Sequence, residues 1–211
     1  MKKVLFVTMV VGLFLIGSTG LALATHVDLM PGDDVASASE AIPGSSLITS
    51  LTLPFDNING EIRLKGTLYQ EVRRAGLDGN LIYVYWINLD SETNDVIERM
   101  STDNFRNVFT EVAYVADGGL TVPTDFTRSS GSGTTLGFEF SDFGDGAESS
   151  TKMWIKTNWP YYKNGQTHLE DGGTIDFDTH APSRIPEPTS VMLLGMGLIG
   201  FAGSIRRKFM A

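Results

Sequence analysis

Cysteine is absent from the 211 residues. Its absence excludes a thiolate nucleophile, thiolate zinc sites, thiol redox chemistry and a disulfide framework. Histidine is nearly as scarce, with three copies, so an imidazole base has few places to be. Serine is plentiful, yet no G-x-S-x-G turn presents one as a nucleophile. Basic residues are the minority: 16 Lys and Arg stand against 25 Asp and Glu, a formal net charge of −9. No basic stripe interrupts that balance, and an acidic surface repels phosphate, which argues against nucleic acid as a partner.

Long apolar runs are also missing, except at the two ends. Lys2 and Lys3 precede the apolar stretch Val4–Gly17, and Ala22-Leu23-Ala24 places small residues where a signal peptidase needs them. Residues 1–24 therefore read as a cleaved signal peptide, recognised through Ala22 and Ala24 and delivered to signal peptidase by the Sec translocon. Its apolar run is short for a hydrocarbon core of roughly 30 Å. At the other end, Thr189–Ile205 carries no charge, and Arg206, Arg207 and Lys208 follow at once. At ~1.5 Å per residue this stretch reaches roughly 26 Å as a helix, enough to span a bilayer when nearly upright. The basic cluster stops transfer and holds its side in the cytoplasm, so the preceding domain lies outside. Directly ahead of the span stand Pro186, Glu187 and Pro188. Both prolines disfavour helix in the residue before them, which leaves Glu187 on extended backbone at the membrane surface.

Pro-Glu-Pro, one apolar helix and a terminal basic cluster, in that order over 186–208, resemble the PEP-CTERM sorting signal of Gram-negative bacteria. The resemblance implies a substrate of exosortase, a multi-span inner-membrane cysteine transpeptidase or protease that cuts at or near the motif. It makes Pro186, Glu187 and Pro188 the recognition element, and it implies a host that makes exopolysaccharide and biofilm. Scattered segments of the middle, among them Lys65-Gly66-Thr67-Leu68-Tyr69 and Asp95-Val96-Ile97-Glu98-Arg99, are similar to mature regions ahead of such tails, and they import no activity.

With the five basic residues of the ends and Glu187 set aside, residues 25–185 hold 11 basic and 24 acidic side chains. This is the acidic domain, and 186–211 is the sorting tail. Its patterns have period two. Leu47, Thr49, Leu51, Leu53 and Phe55 share a face; Ile62, Leu64, Leu68 and Val72 alternate with charged or polar neighbours. Gly66 inside that second run suggests a bulge or bend. Leu81–Leu89 is apolar on both faces, as a central strand would be. Val108–Ala116, Leu136–Phe140, Met153–Thr157, Thr174–Asp178 and Ile97–Met100 extend the set, and Gly- and Asp-rich turns, Asn164-Gly165 among them, punctuate it. Residues 25–47 read as a leader or edge, and Glu92–Asn107 has room for one short helix. The expected fold is all-β: an antiparallel sandwich of about seven or eight strands, with a signal helix before it and a transmembrane helix after it.

Within this domain the chemistry is sparse. His26, His168 and His180 read as solvated loop residues, with no nucleophile turn to serve. Asp142, Asp145 and Glu148 in a Gly-rich loop, and Asp176 with Asp178 on one strand face, leave a calcium site open without an EF-hand pattern. Trp154 reads as a core residue. Beyond it Trp159, Tyr161 and Tyr162 form an aromatic cluster that reads either as a rim or as a glycan contact. The expectation is an exported, non-enzymatic protein without cofactor or metal. It passes through an inner-membrane precursor to the cell surface or extracellular matrix, where a structural or adhesive domain meets exopolysaccharide. The alternative is a carbohydrate-binding or carbohydrate-cleaving surface protein.

Overall fold

A computed structural model describes residues 26–185, apart from 60, 61, 118, 119, 145–147 and 172. The expected signal helix with Ala22 and Ala24, Asp145, and the tail with Pro186, Glu187, Pro188, the expected transmembrane helix, Arg206, Arg207 and Lys208 lie outside the described residues.

The described residues form twelve strands in order: β1 Val27–Asp28, β2 Asp34–Ala36, β3 Ser45–Asn59, β4 Ile62–Ala75, β5 Leu81–Leu89 and β6 Val96–Thr102; then β7 Thr110–Tyr114, β8 Asp125–Arg128, β9 Leu136–Gly144, β10 Met153–Thr157, β11 Tyr161–Glu170 and β12 Thr174–Ser183. They make two six-stranded antiparallel sheets, ordered β1-β7-β10-β5-β4-β3 and β12-β11-β6-β9-β8-β2. No helix occurs among the described residues, so Glu92–Asn107 is strand β6 between loops rather than a short helix.

Alternation decides which face each strand buries. On β5 the inward residues Leu81, Tyr83, Tyr85, Ile87 and Leu89 join Leu64, Leu68 and Val72 of β4 in one core. The second sheet contributes Met100, Phe126, Phe138 and Leu169 to that same core, with Phe126 and Phe138 edge-on at 5.6 Å. A polar thread crosses it. Gln70 Nε2 donates to the Tyr85 hydroxyl and to the His180 carbonyl, both at 2.8 Å, and Gln70 Oε1 accepts from the His180 amide at 2.8 Å. Thr102 and Thr167 continue it into the second sheet. Burial pushes the Tyr85 phenol up to about 12, so it acts there as a neutral hydrogen-bonding group.

Two details correct the sequence pattern. Leu47 leaves the face of Thr49, Leu51 and Phe55 because the β3–β4 register shifts between Leu47 and Thr49, and its side chain is 53% exposed. Gly66 makes no bulge, since its register with β3 and β5 is unbroken. A Cβ there would sit 2.3 Å from the Asn88 carbonyl oxygen and 3.1 Å from the Phe55 ring, so glycine answers a close approach. The count of strands exceeds the expected seven or eight. β1, β2 and β8 are too short to show a period, and Asn164-Gly165, read as a turn, lies inside β11. Gly165 is buried there, and glycine is needed because a Cβ would strike that of Ala181 on β12 at 2.4 Å.

Trp154 is buried, but outside the core between the sheets. It faces outward from the first sheet with Ile82, Val84 and Ala113, and Ile42 packs over the group. The segment before β3 covers this face, and Trp154 Nε1 donates to the Glu40 carbonyl at 3.0 Å.

One buried cation organises loops at the end of the sheets where β12 finishes. Arg128 at the end of β8 is 4% exposed. Its guanidinium donates to the carbonyls of Gly133, Leu29, Phe105 and Val108 and to the Thr110 hydroxyl. Burial lowers its pKa, and the Asp33 carboxylate works against that shift.

Candidate functional site

The expected aromatic cluster is divided by its strand. Tyr161 and Tyr162 are consecutive on β11 and point to opposite faces. Tyr161 is exposed, whereas Tyr162 packs against the core and its ring meets that of His180 at 4.7 Å. Trp159 sits in the loop before β11, where its carbonyl accepts from the Leu81 amide at 3.2 Å. Its ring lies 4.8 Å beneath the Arg184 guanidinium, the geometry of a cation–π contact. Tyr161 pairs with Ser183 in the ladder, so Trp159 and Tyr161 both stand where β12 ends.

The histidines are held by other groups. His26 Nδ1 is 2.9 Å from Glu40. The backbone of His180 is gripped by Gln70 as described. His168 lies between two carboxylates, with Nδ1 2.7 Å from Asp176 and Nε2 3.3 Å from Asp103. Burial opposes its charge, but those carboxylates outweigh burial and raise the imidazole pKa above its ordinary 6.5. Ser101 stands directly opposite His168 in the β6–β11 ladder, but its hydroxyl donates to the Glu170 carboxylate at 3.0 Å.

The acidic candidates separate likewise. The Glu148 carboxylate accepts from the Gly144 amide at 2.9 Å. Asp176 is engaged by His168, and Asp178 is exposed on the same face of β12. A different set converges where β1 pairs with β7. Asp28 lies directly opposite Glu111, and the ligand atoms of His26, Asp28 and Glu111 fall within 4.8 Å of one another. One nitrogen and two oxygen donors suit a divalent transition metal, although Lys156 Nζ, 3.4 Å from Glu111, opposes a cation there. On the same sheet face Tyr69 and Trp86 stack at 4.8 Å with 2° between their planes, and Lys152 Nζ lies 4.8 Å over the Trp86 ring. The sequence carried a trace of this pair: Tyr69 occupies an outward position among Lys65, Glu71 and Arg73.

At its C-terminal end the domain closes tightly. The Ser183 hydroxyl donates to the Ile185 carbonyl at 2.7 Å and accepts from the Ile185 amide at 3.2 Å. Arg184, on Trp159, follows β12 directly. A family model for the PEP-CTERM protein-sorting motif matches residues 184–208, beginning at that arginine. The chain carries a PEP-CTERM sorting motif. The match covers Pro186, Glu187 and Pro188, the apolar run and the basic residues Arg206, Arg207 and Lys208. The chain matches no curated protein and no solved structure. The PEP-CTERM motif implies exosortase as the processing partner and export toward the cell surface. Its first residue is packed on Trp159, so the structure joins the aromatic cluster to the sorting tail, two features that the sequence left unconnected.

Proposed function

We propose that this protein is exported as an inner-membrane precursor, cut by exosortase at or near Pro186–Pro188, and delivered to the cell surface or matrix as a structural or adhesive β-sandwich without enzymatic activity. The carrying observation is the PEP-CTERM motif that begins directly after the last strand. Two six-stranded sheets sharing one core support a self-contained mature domain. Three histidines engaged by carboxylates or backbone support a non-catalytic reading. Entry through the Sec translocon and signal peptidase rests on residues 1–24.

Mass spectrometry of the mature C-terminus from the native host tests this. The expected product ends at or near residues 186–188, and an intact Phe209–Ala211 in exported material overturns the reading. Glu187→Ala is expected to leave export initiation intact while precursor accumulates in the inner membrane.

Carbohydrate binding is the second reading, favoured by the outward Tyr69–Trp86 stack beside Lys152 and by the exposed Tyr161. Aromatic faces stack on sugar rings, and polar neighbours bond their hydroxyls. Glycan arrays comparing the wild type with Trp86→Ala and Trp159→Ala separate the readings: binding lost in either variant supports it, and no binding at millimolar sugar removes it.

A further inference from the structure

We infer that the end of the domain where β12 finishes rests on the lipid bilayer while the precursor is anchored. This deepens the sorting proposal and rests on its reading of Thr189–Ile205 as a membrane span.

The strand order gathers separate segments at this end: the start of β3, the β4–β5 turn, the loop before β7, the loop before β11 and the chain exit. Hydrogen bonds tie them together. The Gly76 amide donates to the Gly44 carbonyl at 2.9 Å. Arg74 Nη1 donates to the carbonyls of Gly79 at 2.8 Å and Pro160 at 3.3 Å. The Phe109 amide donates to Asn158 Oδ1 at 3.1 Å. Large apolar side chains nevertheless point out of these segments. Leu77 is 104% exposed, Ile185 71% and Leu47 53%, and Phe109 and Tyr161 are exposed beside them. Each loses by facing water, and nothing in the fold requires a leucine at the tip of the β4–β5 turn.

The tether identifies what covers them. Five residues, 184–188, separate the end of β12 from the apolar run. Fully extended at ~3.3–3.6 Å per residue, they hold this end within roughly 20 Å of the hydrocarbon. Trp159 under the Arg184 guanidinium presents an aromatic body with a basic partner, the residue types that settle at the membrane–water interface. Charge agrees with this assignment. Around the chain exit, segments 74–80, 103–109, 158–163 and 184–185 carry Arg74, Arg106, Lys163 and Arg184 against Asp78 and Asp103, while Asp33 and Asp34 stand by β2 at the opposite edge of the second sheet from β12. Asp78 is itself paired with Lys156 at 3.1 Å, and Asp103 with His168. Basic side chains here draw anionic headgroups, and docking holds residues 186–188 at the depth where a membrane protease works. Exposed Ile58, at the far tip of the β3–β4 hairpin, has no such tether.

The test uses the full chain in a Trp86→Phe background, reconstituted in vesicles of phosphatidylethanolamine and phosphatidylglycerol brominated high on their acyl chains. Trp154 is shielded beneath residues 40–42, so quenching reports Trp159. Emission from Trp159 is expected to fall by roughly half on bromolipid, to recover when Leu47→Asp and Leu77→Asp are combined, and to stay quenched with Ile58→Asp. Unquenched Trp159 in chains that co-float with vesicles overturns the docking and leaves the anchor standing. Quenching that persists in the double variant overturns this surface. Chains that fail to co-float overturn the anchor, and the docking with it.

Discussion

Two apolar clusters lie on opposite faces of the first sheet, and they are closed in different ways. Between the sheets, Tyr83, Tyr85 and Leu68 meet Met100, Phe138 and Leu169; strand against strand, the alternation of one sheet answers that of the other. On the outer face, Trp154, Ile82, Val84 and Ala113 have no sheet opposite them. They are covered by the segment around Ile42, held by backbone bonds such as Glu40 N–H to the Tyr114 carbonyl at 2.8 Å and Tyr114 N–H to the Ala38 carbonyl at 3.0 Å. A core closed by two sheets is lost only when the fold opens. A cluster closed by a strap is lost when the strap lifts.

Truncating one large side chain in each cluster sharpens that contrast. Phe138→Ala is expected to cost about 4 kcal/mol, because a fully buried ring leaves a cavity that two paired sheets cannot close. Trp154→Ala removes a larger side chain, yet the strap can settle into the gap, and a loss nearer ~3 kcal/mol is expected. Denaturant midpoints give the sizes, and amide exchange gives the mechanism. In Trp154→Ala the amides of Ala38–Ile42 are expected to exchange much faster while those of Leu68 and Met100 follow global unfolding. Equal acceleration at Glu40 and Met100 would make the two clusters one cooperative unit.

The contrast also explains what the sequence revealed. β5, LIYVYWINL, and β10, Met153–Thr157, were legible because a central strand is buried on both faces and needs no partner to show it. Leu64, Leu68 and Val72 were legible through period two. β11 was not, since Asn164-Gly165 has the chemistry of a turn, and only Ala181 on the neighbouring strand shows why the glycine is there. The sequence marks Trp154 as buried but not which face it joins, because its cover comes from residues more than a hundred positions earlier. The burial of Arg128 had no local signal at all, as its acceptors come from three separate segments, Leu29, Phe105–Thr110 and Gly133. The sorting motif could be read without any fold, since a tripeptide, an apolar run and a basic stop are contiguous in the chain. Its contact with Trp159 through Arg184 could not.

The polar thread breaks the simple picture of the inter-sheet core as purely apolar. Gln70→Leu is close to isosteric, so it opens little space, but it strands the His180 amide and carbonyl and removes a donor from the Tyr85 hydroxyl. A loss of about 2 kcal/mol is expected from unpaired buried polar groups. Full retention of the urea midpoint would mean that these groups find water or other partners.

The smallest effect expected belongs to His168, on the outer face of the second sheet, and its sign is fixed by the carboxylates beside it. Burial disfavours the imidazolium, but Asp176 and Asp103 prevail and raise its pKa in the folded state above the ordinary 6.5. The folded domain therefore binds this proton more tightly than the unfolded chain. Its contribution is complete below about pH 6.5 and disappears as pH rises through the raised folded value. Asp176 is 66% exposed, so solvent screens the pair and the contribution is modest. His168→Asn removes the titration while keeping a polar side chain against both carboxylates. The stability difference between wild type and variant, followed by urea denaturation from pH 5 to pH 9, is expected to favour the wild type most at the acidic end and to shrink toward alkaline pH. A difference that grows with pH would reverse the sign and show that desolvation, rather than the two carboxylates, sets the charge of this histidine.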